Sequence, residues 1–308
     1  MVQENCLVKP KIVAIVGPTA SGKTALSIAL AKRFNGEIIS ADSMQIYKYM
    51  DIGTAKVTRS EMDGVPHHMI DIVEPTESYS VAMWVDETRK LIEDIISRGK
   101  TPFIVGGTGL YVTSLLKGYT FNSVPENKDL REHYYKIYQE HGVEPLYDEI
   151  VAKSPAQAKG IDKHKLKAII RILEVLNGRD DFKDLYKDRG EEYNYLLIGL
   201  SGDRAELYNR INLRVDKMIE DGLIDEFRNL IQNHGLTKDC QSAGAIGYRE
   251  FFPYIEGSVS LEDTINLLKQ HSRNYAKRQL TWMRKMDNIH WLTIDDNIES
   301  LVGNFLGE

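Results

Sequence analysis

The residues with the clearest chemical meaning form one loop near the amino terminus. Residues 17–24 read GPTASGKT and fit the pattern G-x-x-x-x-G-K-[ST]. Glycines let the backbone curl so that successive N–H groups face one anion, and the start of the following helix adds positive partial charge. The lysine of this pattern reaches phosphate oxygens, and the hydroxyl of its last residue can bind Mg²⁺. The pattern therefore predicts a diphosphate site. It would be formed by Gly17, Pro18, Thr19, Ala20, Ser21, Gly22, Lys23 and Thr24, with Thr24 as the metal ligand.

A carboxylate follows the next apolar segment of the chain. Residues 37–42 read EIISAD, and the carboxyl end of such a strand lies beside the phosphate loop in a parallel sheet. Kinases and NTPases of this kind usually carry an acid after a later strand, but the segment FIVGGTG at 103–109 has none. Asp42 can therefore bind Mg²⁺ or act as a base, and it can equally cap the helix that follows.

Hydrophobic periodicity predicts the elements that hold these residues. Apolar runs predict strands, and 3.6-residue patterns predict helices between them. The predicted strands are 11–16, 37–42, 102–107, 195–200 and 290–294, and the predicted core helices are 22–34, 81–99, 203–221, 222–234 and 261–286. Strands that alternate with helices form parallel sheets covered on both faces. Together with the phosphate loop, this order predicts an α/β fold with a P-loop NTPase-like parallel sheet core.

One interval differs from this alternation. Residues 120–193 contain helix-like segments at 128–142 and 164–178 but no convincing buried strand. We interpret this interval as a helical insertion into the α/β core. The α/β core then consists of residues 1–119 and of residues 194–308, the latter with a basic C-terminal helix.

The composition excludes several classes of protein. Of 308 residues, 42% are hydrophobic and 27% are charged, which excludes wholesale disorder. No apolar stretch approaches the roughly 18 residues of a membrane-spanning helix, and the first residues lack the apolar segment of a signal peptide, so we expect a cytoplasmic protein. The two cysteines, Cys6 and Cys240, form neither a disulfide framework nor a zinc quartet. Any metal would be held by oxygen ligands.

The charge is unevenly distributed along the chain. The formal net charge of −6 argues against a protein that coats nucleic acid through global charge. Two basic segments, 152–175 and 269–286, nevertheless carry six Lys or Arg residues each, and the second contains no acid. Such segments fit a local polyanion site, and they fit solvated helix faces equally well.

Six ordered segments resemble one enzyme family. They read GPTASGKTALSIALAKR, EIISADSMQIYKYMDIGTAK, VPHHMIDIVEP, FIVGGTGLY, AIGYRE and AKRQLTWMRK, and they span nearly the whole chain. Their order resembles that of the tRNA dimethylallyltransferases. The resemblance implies transfer of a dimethylallyl group from dimethylallyl diphosphate to N6 of the adenosine just 3′ of the tRNA anticodon, with release of diphosphate.

The resemblance also implies roles for individual residues. The phosphate loop would hold the departing diphosphate with Mg²⁺, and Arg214 would clamp it further, although its pattern alone also fits a surface helix. Asp42 would be the base that takes the N6 proton. Thr19 and Arg214 complete the implied catalytic set. The implied tRNA contacts are Asp42, Ser43, Met44, Gln45, Thr108, Arg131, Lys277, Arg278 and Gln279.

Some of these roles have a structural alternative. Thr108 can cap the helix that follows it, and Trp282, close to the KRQ segment at 277–279, can be a core residue. The insertion also departs from the family pattern, because residues 164–168 read HKLKA where an N-D-x-R-R segment is common. Positive charge is kept there, while the paired arginines are not.

Three other functions fit part of the sequence. A P-loop kinase explains the loop and the sheet, but it leaves the insertion and the basic helix without a role. An adenylate isopentenyltransferase would use the same donor on a free nucleotide, whereas the insertion and the KRQ segment favour RNA. A nucleotide-gated RNA-binding module would need no base, and Asp42 beside the phosphate loop disfavours it. We expect a monomer that binds Mg²⁺, dimethylallyl diphosphate and a tRNA anticodon stem-loop.

Overall fold

The computed structural model describes residues 9–121, 124, 126–159, 161–178 and 186–308, and it divides the chain into two units. The larger unit comprises the chain up to Lys117 together with Glu191–Glu308. The smaller unit comprises Gly118–Gly190 and interrupts the larger one in sequence.

Six parallel strands form the centre of the larger unit. They are β1 (Lys11–Val16), β2 (Gly36–Ser40), β3 (His67–His68), β4 (Thr101–Gly106), β7 (Asn194–Leu200) and β8 (Ile289–Leu292). Their order in the sheet is β3-β2-β4-β1-β7-β8, and every neighbouring pair is parallel. The last five residues of β1 and all five of β2 are buried, as expected for strands covered on both faces.

Helices connect and cover these strands. They are α1 (Lys23–Arg33), α2 (Val81–Ser97), α3 (Gly109–Leu116), α8 (Arg204–Glu220), α9 (Leu223–Asn233), α10 (Phe251–Ile255), α11 (Leu261–Met283) and α12 (Ile298–Leu306). Side-chain caps set several helix starts: Ser80 accepts the N–H of Met83 in α2, and Ser260 accepts that of Asp263 in α11. Because buried residues recur at helical spacing, as at Leu223, Phe227 and Leu230 in α9, each helix packs one apolar face inward.

One apolar core fixes the strand that leads into the phosphate loop. Val13 and Ile15 of β1 pack with Phe103 and Ile198 of the neighbouring strands, and all four are fully buried. Residues of α1 and α12 cover this face of the sheet. The end of β1, and therefore the start of the loop after it, is held by this buried core.

The smaller unit has its own core. Its helices are α4 (Lys128–His141), α5 (Glu144–Lys153), α6 (Pro155–Ala158) and α7 (Leu166–Gly178), and β5 (Tyr119–Phe121) pairs antiparallel with β6 (Tyr186–Asp188). Leu146, Ile150, Ile169 and Leu173 form the centre of its core. The β5–β6 pair has no counterpart in the predicted elements, because each strand has three residues and shows no apolar alternation.

The predicted fold class is confirmed: the chain is an α/β protein with a parallel sheet core. Strand β3 is absent from the predicted elements, because a two-residue strand is too short to produce a periodic pattern. Strand β2 ends at Ser40 rather than at residue 42, so Asp42 follows the strand instead of ending it. In the described part of the chain, no helix combines the length and apolarity needed to cross a membrane.

Candidate active site

The loop between β1 and α1 has the backbone geometry of an anion cradle. Gly22 lies immediately before α1 with φ of 90°, and Ala20 also adopts a left-handed conformation, with φ of 61°. No side chain caps the start of α1, so its first N–H groups remain available for a ligand. Those N–H groups, together with the helix dipole, favour a bound anion.

Two partly buried cations lie at this loop. The Nζ of Lys23 donates to the carbonyl oxygen of Pro18 at 2.8 Å, and the Nη1 of Arg214 donates to the Oγ1 of Thr19 at 2.9 Å. Burial, and secondly the charge of Arg214, lower the pKa of Lys23 to about 8, while Asp42 opposes this shift. Burial also lowers the pKa of Arg214. A site with two partly buried cations, one of which lowers the pKa of the other, favours a polyanion as its ligand.

Gln279 attaches the phosphate loop to the sheet. Its Oε1 accepts the N–H of Thr19 at 2.9 Å, and its Nε2 donates to the carbonyl oxygen of Gly107 at 3.1 Å. A Cβ at Gly107 would lie 2.1 Å from this Nε2, so the glycine permits the contact. Gln279 is only 5% exposed. The structure thus places a residue predicted to contact tRNA behind the phosphate loop, with both ends of its amide bonded to the protein.

Asp42 lies two residues beyond β2, beside the end of β4. Its Oδ1 accepts the N–H groups of Met44 at 2.9 Å and of Gln45 at 3.4 Å. The N–H of Ser43 donates to the Oγ1 of Thr108 at 3.0 Å. Asp42 therefore makes the local hydrogen bonds of a capping residue while it also lines the cavity. Although Thr108 precedes α3, its side chain does not cap that helix but holds Ser43.

The amide of Gln45 joins two segments of the chain. Its Oε1 accepts from the Oγ of Ser40 at 3.2 Å, and its Nε2 donates to the carbonyl oxygens of Thr54 and Ala55, both at 3.3 Å. The resemblance implies that Gln45 contacts tRNA. In the structure its oxygen and both of its N–H donors have protein partners, so Gln45 supports the wall of the cavity.

A cavity of about 690 Å³ brings these groups together. Thr19–Thr24 and Asp42–Gln45 line it, as do Arg214, Arg278 and Gln279. Thr108 stands behind Ser43, and Lys277 is exposed on α11 without lining the cavity. The lining also includes side chains that sequence reasoning missed. These are Glu61, His67, Arg249, Ser272 and Tyr275.

Tyr275 is the missed residue with the most contacts to the predicted ones. Its hydroxyl contacts the side chains of Thr108 and Gln279, and the guanidinium carbon of Arg278 lies 5.6 Å from its ring centroid. Burial, reinforced by the charge of Asp42, raises the pKa of Tyr275, so the phenol stays protonated. Its spacing of four residues before Gln279 on a helix was the only sequence signal, because i and i+4 share one face.

The predicted RNA contacts elsewhere are partly neutralised by neighbours. In the smaller unit, the Nε and Nη2 of Arg131 donate to the two carboxylate oxygens of Glu174, each at 2.9 Å. Other basic residues of the two basic segments form ion pairs with neighbouring acids. These pairs are Lys153–Glu149, Lys163–Glu144, Arg171–Glu174 and Lys269–Asp216. Trp282 is 44% exposed and donates from Nε1 to Thr113, so it is not a core residue.

The described residues offer little to a metal by themselves. Within those ranges, no group of three or more His, Cys, Asp or Glu side chains could hold a metal ion. Thr24 lines the cavity beside Lys23, and Asp42 supplies a carboxylate to the same cavity. This sparse oxygen set fits Mg²⁺, which usually takes few protein ligands and completes its coordination with phosphate oxygens and water. Cys240 is a free thiol, and Cys6 lies outside the described residues.

The fold and the cavity define a class of protein. A phosphate loop leads from β1 into α1, and the carboxylate of Asp42, after β2, lines the same cavity. This is the arrangement of a P-loop group-transfer enzyme. The profile of the IPP transferase family matches residues 45–286, and that of isopentenyl transferases matches residues 10–78. The chain belongs to the IPP transferase family.

Individual relatives agree with this membership over nearly the full chain. A tRNA dimethylallyltransferase of Halalkalibacterium halodurans is 47% identical over 292 residues, which cover 94% of this chain and 92% of the relative. The crystal structure of a full-length tRNA isopentenylpyrophosphate transferase from Bacillus halodurans aligns with a TM-score of 0.73 at 45% identity, covering 97% of each chain. A eukaryotic dimethylallyltransferase acting on tRNA aligns with a TM-score of 0.77 at 30% identity, covering 96% of this chain and 78% of that one.

Proposed function

We propose that this chain transfers a dimethylallyl group from dimethylallyl diphosphate to N6 of the adenosine immediately 3′ of the tRNA anticodon. One observation carries the proposal: the cavity lined by Lys23 and Arg214 is also lined by Asp42, whose negative charge raises the pKa of Lys23. A phosphate site and a base in one cavity suit the displacement of a diphosphate by a weakly nucleophilic amine. The relatives named tRNA dimethylallyltransferase support a dimethylallyl group as the group transferred and a tRNA as the acceptor.

The phosphate-loop side of the cavity would bind the leaving group. We call Thr19–Thr24 with Arg214 the donor wall. As the bond between the allylic carbon and the diphosphate oxygen breaks, negative charge accumulates on the diphosphate, and the ammonium of Lys23 and the guanidinium of Arg214 stabilise it. Because both cations are partly removed from solvent, each interaction with that charge is stronger than it would be in water.

The opposite side would present the acceptor. We call Asp42–Gln45 with Gly53–Ala55 the acceptor wall. The lone pair of adenine N6 is delocalised into the ring, so a carboxylate that takes one N6 proton as the new C–N bond forms assists the attack. Oδ1 of Asp42 is held by two backbone N–H groups, which leaves Oδ2 to receive that proton.

Mg²⁺ belongs to this proposal as a partner of the diphosphate. The hydroxyl of Thr24 would hold it, with diphosphate oxygens and water as its other ligands. When bound, the ion supplies further charge neutralisation for the leaving group. The backbone N–H groups of the donor wall would orient the diphosphate whether or not the ion is bound.

The acceptor must leave its stack to reach Asp42. An adenosine in a single-stranded loop can be turned out into a pocket at a cost of a few kcal/mol, which contacts to the RNA backbone can offset. Lys277 and Arg278 on α11 are exposed cations suited to such contacts, and we assign the smaller unit to the same RNA. The reaction would take place in the cytoplasm on a monomeric enzyme.

One experiment separates this proposal from its rivals. The protein is incubated with Mg²⁺ and either an anticodon stem-loop RNA or AMP, and dimethylallyl diphosphate or ATP is supplied in separate reactions. Mass spectrometry should show a five-carbon gain on the RNA with the prenyl donor only, and none on RNA whose target base is purine, which lacks the N6 amine. A gain on AMP but not on RNA would instead assign the adenylate reaction, and phosphoryl transfer from ATP would assign a kinase.

A further inference from the structure

Glu226, in the first turn of α9, makes an unusual set of hydrogen bonds to a distant segment. Its Oε2 accepts the N–H groups of Asp51 at 2.9 Å and Ile52 at 2.8 Å, and its Oε1 accepts that of Gly53 at 3.1 Å. The hydroxyl of Tyr248 donates to Oε1 at 2.6 Å. One carboxylate thus binds three consecutive backbone N–H groups and a phenol, and all four donors come from outside its own helix.

The segment that Glu226 holds is closely packed against Tyr248 and Gly247. A Cβ at Gly53 would lie 2.4 Å from the ring of Tyr248, and a Cβ at Gly247 would lie 2.9 Å from the carbonyl oxygen of Gly53. Tyr248 is fully buried, and burial raises its pKa, so its hydroxyl remains a donor. Close backbone packing and the carboxylate together fix residues 51–53.

A chain of hydrogen bonds connects this segment to the proposed base. The carbonyl oxygens of Thr54 and Ala55, directly after the residues bound by Glu226, accept from the Nε2 of Gln45. The backbone N–H of Gln45 in turn donates to Oδ1 of Asp42. One backbone segment and one amide side chain therefore connect Glu226 to Asp42.

We propose that Glu226 is a positioning residue for the transfer reaction, which sets the location of Asp42 through Gly53–Ala55 and Gln45. This inference rests on the proposed function. Glu226 does not line the cavity, so it acts through other residues and not on the substrates. The donor wall is independent of it, because Gln279 attaches Thr19 to the end of β4 by a separate route.

The charge of Glu226 is as important as its length. Three N–H groups and one O–H converge on two oxygens, and only a carboxylate offers acceptors at both positions. In a Glu226→Gln variant, the amide nitrogen would face N–H donors and leave at least one of them unpaired. The expected consequence is a displaced acceptor wall rather than an unfolded protein, since the apolar face of α9 does not change.

The test is a double-mutant cycle with Asp42. Glu226→Gln should lower kcat for prenyl transfer about 10- to 100-fold, the scale of loss that misplacing a reacting group can cause. The KM for dimethylallyl diphosphate and the inhibition constant of inorganic diphosphate should stay within about twofold, because the donor wall is unchanged. In the Asp42→Asn background the same substitution should cost less than about twofold, since a base that is absent cannot be misplaced.

Matched variants guard against a purely structural effect. Asp225→Asn changes the neighbouring residue of the same turn, whose side chain is 82% exposed and paired with Arg228, and it should leave kcat unchanged. Tyr248→Phe removes one donor to Glu226 with little change in volume, and it should lower kcat a few-fold in the same direction. Hydrogen exchange without substrates should show faster exchange at residues 51–53 in Glu226→Gln but not in Asp225→Asn.

Each outcome bears on one proposal. An equal loss from Glu226→Gln in both backgrounds, or a raised donor KM with normal kcat, would overturn the role of Glu226. If Glu226→Gln does not fold, Tyr248→Phe decides the question. Unchanged kcat would overturn the positioning role of Glu226. A loss of kcat that occurs with Asp42 present and is absent in the Asp42→Asn variant would support it. If wild-type protein transfers no prenyl group to RNA, the proposed function itself fails, and the exchange experiment still reports whether Glu226 fixes residues 51–53.

Discussion

The donor wall and the acceptor wall of the cavity are built in different ways. The donor wall is largely one contiguous loop, shaped by Gly22 and by left-handed Ala20. The acceptor wall joins two segments. Glu226, which lies 175 residues after Asp51 in the sequence, holds one of them. An anion site can be built locally because backbone N–H groups supply it, whereas a base that must meet a second substrate depends on long-range contacts.

This contrast predicts separate kinetic signatures for the two walls. Substitutions in the acceptor wall should lower kcat and leave diphosphate affinity alone. Substitutions in the donor wall should weaken binding of the diphosphate, and those of Lys23 and Arg214 should lower kcat as well, because these two cations stabilise the departing diphosphate. Mixed signatures at every position would show that the cavity behaves as one unit and would remove the distinction.

The largest effect is expected at Asp42. Asp42→Asn keeps an Oδ1 that can accept the N–H groups of Met44 and Gln45, so the local fold should persist. The variant cannot take the N6 proton, and kcat should fall about 10² to 10⁴-fold, the usual contribution of a general base. Single-turnover transfer to the RNA measures the loss, and the inhibition constant of diphosphate should change less than about threefold. Near-normal transfer by this variant would exclude Asp42 as the base.

The next effect concerns the RNA rather than the chemistry. Simultaneous Lys277→Glu and Arg278→Glu should remove two phosphate contacts, so the slope of log affinity against log salt should decrease by nearly two. The affinity lost between 50 mM and 200 mM salt would then shrink roughly 10-fold. Lys90→Glu, an exposed position on α2, is the control and should keep the wild-type slope. An unchanged slope in the double variant would show that the RNA contacts another surface.

Sequence patterns predict the donor wall better than the acceptor wall, because the donor wall is built locally and the acceptor wall depends on long-range contacts. The phosphate loop is specified by eight contiguous residues, and the alternation of strands and helices suffices to place Asp42 at the same edge of the sheet. The functions of Gln279 and Gln45 depend on contacts that no local pattern encodes: Gln279 bonds a residue 260 positions away, and Gln45 bonds the carbonyls of a loop. Glu226 carries no local signal at all, because an acid in the first turn of a helix is ordinary.

A third effect follows from the lowered pKa of Lys23. In the free enzyme this pKa is about 8, and only the charged ammonium favours a diphosphate. For the donor, the titration of Lys23 should therefore leave kcat/KM nearly unchanged below about pH 7, and kcat/KM should fall toward about tenfold per pH unit well above the pKa of Lys23, which is about 8. At pH 9 the loss relative to pH 7 should be about tenfold by this titration alone. Bound diphosphate favours the charged form, so kcat at saturating donor should be much less sensitive to pH.

Lys23→Arg distinguishes this titration from that of the substrate. A guanidinium keeps its charge throughout this range, so the alkaline fall in kcat/KM should move upward or disappear even if the overall rate is lower. If the same alkaline fall in kcat/KM persists in Lys23→Arg, it results from the titration of another group and not from that of Lys23.

The smallest effect is expected at Gln279, and it tests the comparison most directly. Gln279→Leu has a similar volume but leaves the N–H of Thr19 without its acceptor and the carbonyl of Gly107 without its donor. An unpaired buried group costs about 1–3 kcal/mol, part of which loosening of the loop can relieve, so the KM for dimethylallyl diphosphate should rise about 5- to 10-fold. Thr281→Ala, an exposed position two residues along α11, is the control. Because Gln279 touches the donor wall and Glu226 the acceptor wall, Gln279→Leu should raise KM at nearly normal kcat, the inverse of Glu226→Gln. If Gln279→Leu instead lowers kcat at unchanged KM, the phosphate loop does not depend on this contact, and the two walls are not held independently.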